Sequence, residues 1–133
     1  MPNDDDRGKI RNRDHALQVK DFSGLRYGKI TPTDIDLFLD FGNEIFIFAE
    51  AKYGDSILPL GQRLALERLV DACQEGGIRS YAFIVSHRAQ NGEDIDMRKA
   101  IVREYRYKGK WTKERKHTLG YCIGKIREKN GLE

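Results

Sequence analysis

From Asp34 to Phe41 the chain alternates strictly, with Ile35, Leu37, Leu39 and Phe41 set against Asp34, Asp36, Phe38 and Asp40. A period of two predicts a strand with one face inward. Gly42-Asn43 breaks the pattern as a tight turn would. "EIFIFAEAK" follows, apolar on both faces, as expected of a central strand. From Pro59 the period lengthens. Gln62, Leu66, Leu69 and Cys73 recur at helical spacing, with Leu60, Leu64, Val70 and Ala72 widening the stripe. Pro59 suits the first turn and Gly76-Gly77 the stop. "SYAFIVSH" predicts a third buried strand, and "AIVREYRYKGKW" a fourth, more exposed one. "TLGYCIGKIREKNG" predicts a closing helix with Leu119, Cys122, Ile123 and Ile126 inward and Thr118 as its cap. Upstream, "RDHALQVKDF" reads as a short helix and "SGLRYGKITPT" as a loop or short strand, behind a frayed, flexible N-terminus over 1–12. The predicted order is α-β-β-β-α-β-β-α, an α/β fold in which a mixed sheet carries helices on its faces.

Charges intrude on this apolar frame at one place. Glu50 and Lys52 end the most apolar strand and point to one side, since side chains alternate. A three-residue turn sets Asp36 opposite Glu50 and Phe38 opposite Phe48. A two-residue turn sets Ile35 opposite Glu50, unless a bulge restores the first pairing. Two carboxylates on adjacent strands repel unless a cation lies between them. Asp36, Glu50 and the Ala51 carbonyl form a hard-oxygen set suited to Mg²⁺, with Mn²⁺ as a substitute. An ion so held polarises a phosphate and acidifies a bound water. Lys52, on the same side, suits orienting that water and neutralising the phosphate. The combination reads as an apparatus for metal-assisted phosphodiester hydrolysis.

"TDIDLFLDF" followed by "IFAEAKYG" resembles the core of the PD-(D/E)xK nuclease superfamily, over roughly residues 13–87. "LPLGQRLALERLV" adds to the resemblance, because several branches carry a Gln near the start of the helix after the Glu-x-Lys strand, where Gln62 stands. The resemblance implies a restriction-endonuclease-like αβββαβ core, here with a further C-terminal strand and helix, as a single domain over 13–133. It also implies that Asp36 and Glu50 bind metal, that Lys52 serves the nucleophilic water, and that Gln62 positions water or substrate. The proline of the family name is displaced: Pro32 lies four residues before Asp36, with Asp34 between, so either aspartate is open as the ligand. No Glu precedes Glu44, so the first-helix Glu of junction resolvases is missing or replaced by Asp14. The small size and "GQRLALERL" are similar to nucleases carried by phages and prophages.

Charge distribution extends the picture. Arg98 to Lys129 holds twelve Lys/Arg against three Glu, a balance of +9, and the remainder of the 133-residue chain balances at −6. An acidic body with a basic C-terminal third suits a polyanion held beside a cation site. "REYRYKGKWTKERKH" interleaves Tyr105, Tyr107 and Trp111 with basic residues, which suits phosphate neutralisation and base stacking. The residues expected to contact nucleic acid are Arg63, Arg106, Lys108, Lys110, Trp111, Lys113, Arg115 and Lys116. No run approaches the ~20 apolar residues of a membrane span, and the N-terminus has no signal-peptide core. Cys73 and Cys122 read as reduced buried thiols of a cytoplasmic protein, His87 as a structural histidine, and zinc as improbable.

The leading expectation is a Mg²⁺-dependent DNA endonuclease that reads branched or junction structure more than sequence, with a homodimer supplying one centre per strand. Two other classes compete. "TDIDL" resembles the Asp-x-Asp strand of nucleotidyltransferases, but "KITPT" lacks the Gly-Ser element that holds their triphosphate. A non-catalytic nucleic-acid-binding module would leave Asp36, Glu50, Lys52 and Gln62 without a use.

Overall fold

The computed structural model describes residues 20–132. They fall into two units that meet at Pro32–Thr33. The expected helix at 13–22 lies outside the described residues except for Lys20 to Phe22, which are not helical, and the expected flexible segment 1–12 and Asp14 lie outside them too. The first unit shows a single 3₁₀ turn at Ser23–Leu25 and one bridge, Tyr27 to Ile30, closed over Gly28 at φ 63°.

The second unit is built on a five-stranded mixed sheet: β1 (Leu37–Phe41), β2 (Ile45–Tyr53), β3 (Arg79–His87), β4 (Ile101–Tyr107) and β5 (Lys110–Lys113). The strands lie side by side in chain order. Only β2 and β3 are parallel, and the helix α1 (Leu60–Glu75) makes the crossover between them. A second helix, α2 (Leu119–Lys129), follows β5. The architecture is therefore α/β with a mixed sheet, and the expected fourth strand is two strands. Lys108 and Gly109, at φ 51° and 76°, form the two-residue turn that splits it. Such a turn needs left-handed backbone at both positions, and its twist matches the flanking strands.

Alternation along the strands explains why both sheet faces are covered. One face collects Phe48, Ala82 and Ile84, over which α1 lays Leu66 and Val70. The opposite face collects Ile47, Ala49, Phe83, Val85 and Val102, covered by Leu119 and Ile126 of α2 with Cys122 and Ile123 beside them. Burying each such aliphatic or aromatic side chain contributes roughly 1.5–3 kcal/mol. The helical stripe in α1 is narrower than its sequence suggests, since Leu60 and Ala72 are exposed. Thr118 caps α2, its Oγ1 accepting from the Tyr121 N–H at 3.1 Å, and Gly76 ends α1 with Gly77 at φ 100° behind it.

The β1–β2 turn holds three residues, Gly42, Asn43 and Glu44, between the paired Phe41 and Ile45. This is the register that sets Phe38 opposite Phe48, and their rings stack at 5.0 Å. At the other sheet junction, Ile84 pairs with Glu104 but Val85 with Val102, which leaves Arg103 as an extra residue on β4. Bulges of this kind re-aim a side chain. Arg103 reaches the β2–α1 loop, where its Nη1 donates to the Ser56 carbonyl at 2.7 Å.

Candidate functional site

Continuing the β1–β2 register one step beyond Leu37 and Ala49 brings Asp36 level with Glu50. Asp36 stands just before β1 on the exposed side, and its Oδ2 accepts from the Ala51 N–H at 2.8 Å. Glu50 is only 7 % exposed, on the sheet face that α1 covers. Its carboxyl is pushed up to about 7, first by burial, then by the charge of Asp36 and a side-chain hydrogen bond with it. The Asp36 backbone N–H and the Lys52 ammonium offset this in part. The structure thus brings Asp36, Glu50 and Lys52 together, and it is Asp36 rather than Asp34 whose carboxylate acts on Glu50.

Gln62 lies on the first turn of α1, one turn before the buried Leu66, and so on the sheet-facing side of that helix. α1 begins seven residues after β2 ends, at the same edge of the sheet as Glu50 and Lys52. The Gln62 Oε1 is buried and has no hydrogen-bond partner among the described residues. An orphaned buried acceptor of this kind is uncommon and marks a place suited to a water or a ligand. Two adjacent carboxylates, a main-chain carbonyl at Ala51 and an unsatisfied amide fit a hydrated Mg²⁺ or Mn²⁺, which takes few protein ligands and retains waters. Among the described residues, no group of three His, Cys, Asp or Glu is gathered as a closed metal site. Two carboxylates and a carbonyl are the oxygen donors that an open, water-rich ion takes.

Several residues expected at a nucleic-acid surface have other occupations. Arg63 Nη2 donates to Glu104 Oε1 at 2.6 Å, and its guanidinium lies 4.3 Å from the Trp111 ring centre. Trp111 Nε1 donates to Glu67 Oε1 at 2.6 Å. Arg106 makes two bonds to Asp71, 2.9 and 2.8 Å, and these hold its guanidinium firmly charged. Arg63, Arg106 and Trp111 therefore tie α1 to β4 and β5. Of their carboxylate partners, Glu67 and Asp71 come from a helix face that the sequence presents as merely solvated, and Glu104 comes from β4.

The remaining basic residues divide by position. Lys113 pairs with Glu104, Glu104 with Ile84, and Ile84 with Glu50, so Lys113 shares a transverse row with the Asp36–Glu50 pair, three strands from Glu50. Arg115 and Lys116 follow it and are exposed. Lys108 and Lys110 stand at the opposite end of the sheet, where Tyr107 pairs with Tyr81, and Lys108 lies 5.3 Å above the Tyr107 ring. The basic stretch is not one patch.

His87 behaves as a structural residue. Its Nδ1 accepts from the Ala89 N–H at 3.1 Å and its ring meets Tyr53 edge-on at 5.8 Å. Arg88 and Arg103, both at the Lys52 end of the sheet, were not distinguishable in the sequence as site neighbours. A basic residue directly after the third strand was the one available signal for Arg88, and only the bulge explains Arg103. Both cysteines are free and half-buried, and burial raises the Cys122 thiol. Among the described residues no helix is long and apolar enough to cross a membrane.

Comparison with protein-family models, with curated proteins and with solved structures finds no match to this chain.

Proposed function

We propose that the chain is a Mg²⁺- or Mn²⁺-dependent DNA endonuclease with a restriction-endonuclease-like core. The observation that carries this reading is the Asp36–Glu50 pair. A carboxyl raised toward neutrality first by burial and then by a second carboxylate is destabilising in itself, and Lys52 on the same face completes a set that phosphodiester hydrolysis can use. The order strand, strand, helix, parallel strand, with the acids at one sheet end, supports the ββαβ part of that core, while among the described residues the expected strand before it is only the isolated Tyr27–Ile30 bridge.

In this reading Asp36, Glu50 and the Ala51 carbonyl would hold the ion. Once bound, it would supply Lewis-acid polarisation of the phosphate and a lowered pKa for a water. Lys52 donates to the attacking water or a phosphate oxygen and balances the charge that develops there. The Gln62 Oε1 accepts a hydrogen bond from the water and fixes its direction of approach. Burial of Glu50 against the α1 face limits the waters that compete for these groups.

A second reading has one observation in its favour. A proton retained by Glu50 near neutral pH would let the two acids coexist without a cation, as in a binding module that does no chemistry. Cleavage separates the two. Plasmid or branched DNA incubated with the protein should be cut with Mg²⁺ or Mn²⁺, not in chelator, and Lys52→Ala should abolish cutting while still binding DNA. Intact DNA under every metal condition would leave the binding module as the better explanation.

A further inference from the structure

Two clefts at the Lys52 end of the sheet meet at one residue. The first, about 410 Å³, is lined by Arg98, Lys99, Thr118, Gly120 and Tyr121. The second, about 350 Å³, includes Lys99 again and continues along Ser86, His87 and Arg88 at the end of β3, with Asp96 and Ile95 across from them. Lys99 borders both, and the two together are taken as one trough. The trough reaches the sheet end that carries the candidate centre, on the face that α2 covers and so across the sheet from Glu50 and Lys52: Tyr53 pairs with His87, and Arg88 lies over Gly54, where an added Cβ would come within 3.1 Å of its Nη1. Gly54 is two residues from Lys52.

The trough is built to present positive charge. None of Arg88, Arg98 and Lys99 has a carboxylate within ion-pair distance among the described residues, in contrast to Arg63 and Arg106. Asp96, the acid in the lining, accepts from the Arg98 N–H through Oδ1 at 3.1 Å and so braces the Met97–Lys99 turn. Arg98 packs directly on Gly120, where any Cβ would sit 2.5 Å from Arg98 Cγ. At the far end Tyr121 is 46 % exposed and stacks on His117 at 4.1 Å, with the exposed Lys125 ammonium 5.5 Å from its ring centre, where a base would have to displace it. Cations without a carboxylate partner among the described residues, followed by a preformed stacking surface, match an unpaired nucleic-acid strand, whose backbone and bases need those two features together.

We infer that this trough, rather than the β4–β5 hairpin, carries an unpaired DNA strand to or from the candidate centre, with Arg88, Lys99 and Arg98 on its phosphates and Tyr121 under a base. The inference rests on the nuclease reading only in identifying the centre to which the strand leads. The test is anisotropy of a fluorescent oligothymidylate with the full chain in chelator, over a series of salt concentrations. Arg98→Ala/Lys99→Ala should weaken binding about tenfold or more and lower the salt slope by about 1.4, at roughly 0.7 for each phosphate neutralised on a single strand. Tyr121→Ala should weaken binding with the slope unchanged. Arg79→Ala/Lys129→Ala removes the same charge far from the trough and should bind within about twofold of wild type. Equal weakening by both double variants would reduce the effect to net charge and overturn the trough, as would wild-type binding by Arg98→Ala/Lys99→Ala. Arg98→Gln/Lys99→Gln replaces that variant if its melting curve shows a fold defect. Mg²⁺-dependent cleavage by wild type beside normal oligonucleotide binding by the trough variant removes the trough alone. Loss of oligonucleotide binding in that variant, with no cleavage by wild type, removes the nuclease alone.

Discussion

The Asp36 carboxylate stands level with Glu50 across the β1–β2 pair, and its charge adds to burial in raising the Glu50 carboxyl to about 7. That relation makes stability depend on pH in a definite direction. The native state holds the Glu50 proton more tightly than the unfolded chain, whose carboxyl titrates near 4.5. This contribution is at its most favourable below about pH 4.5 and is lost as the pH rises to about 7, by at most about 3 kcal/mol. Thermal melting from pH 4.5 to 8 should show the fall, and Glu50→Gln should abolish it. Mg²⁺ should restore more stability at pH 8 than at pH 5. A flat wild-type profile, or a Mg²⁺ effect unchanged by Glu50→Gln, would contradict the pairing of the two acids.

A second expectation separates architecture from DNA contact. Arg106 bonds Asp71 twice and lies near Glu67 and Trp111, so Arg106→Ala strands partly buried carboxylates. The loss should be about 1–3 kcal/mol in chemical denaturation. If Arg106 acts mainly on DNA instead, its removal weakens DNA binding and leaves the denaturation midpoint where it was.

The first hairpin strand, the α1 helix and the closing helix were legible because one period dominates each segment, and the two central strands from their unbroken apolar runs, while the hairpin register stayed open between a three-residue and a two-residue turn. Two features were not legible. The Lys108-Gly109 turn hides in a run whose alternation continues on both sides of it, so two strands read as one. The second is the fate of Arg63, Arg106 and Trp111. Local pattern displays a basic-aromatic surface, but their partners Glu67, Asp71 and Glu104 arrive from a different helix and from a strand alternation that only the assembled sheet turns inward. Long-range ion pairing of this kind has no period to find. That Asp36 and not Asp34 stands level with Glu50 was likewise undecided until the three-residue turn fixed the register.

A third expectation follows from the row that joins Glu50, Ile84, Glu104 and Lys113. Lys113→Glu/Lys116→Glu should weaken duplex binding and flatten its salt dependence by about 0.9 for each phosphate that is no longer neutralised. The same reversal at Lys108 and Lys110, at the far end of the sheet, should cost less. Titrations at several salt concentrations compare the two, and a larger effect at Lys108 and Lys110 would move the duplex to the hairpin end.

The last expectation concerns the preferred DNA. The described sheet and helices leave no element free to enter a groove and read bases, since both helices lie on the sheet with their apolar sides inward. On the proposed reading the surface would offer DNA backbone neutralisation, from Lys113, Arg115 and Lys116, and contacts of that kind position DNA without specifying sequence. Selectivity then has to come from DNA that can bring a scissile phosphate to a nearly buried Glu50, and strands already unpaired at a branch do so with less unstacking than an intact duplex. Four-way junctions and flaps should therefore be cut faster than blunt duplex of the same sequence. A panel of junction, flap, single strand, blunt duplex and supercoiled plasmid, incubated with wild type, Asp36→Asn and Asp34→Asn, measures this directly. Equal rates on junction and blunt duplex would end the structure-selective reading, and cutting at one short sequence would point to a restriction-type enzyme. Asp36→Asn should be inactive on every substrate while Asp34→Asn retains activity, because the Asp36 carboxylate is the one that acts on Glu50. The reverse pattern would place the ligand two residues upstream and require a different pairing of β1 from the one that sets Phe38 against Phe48.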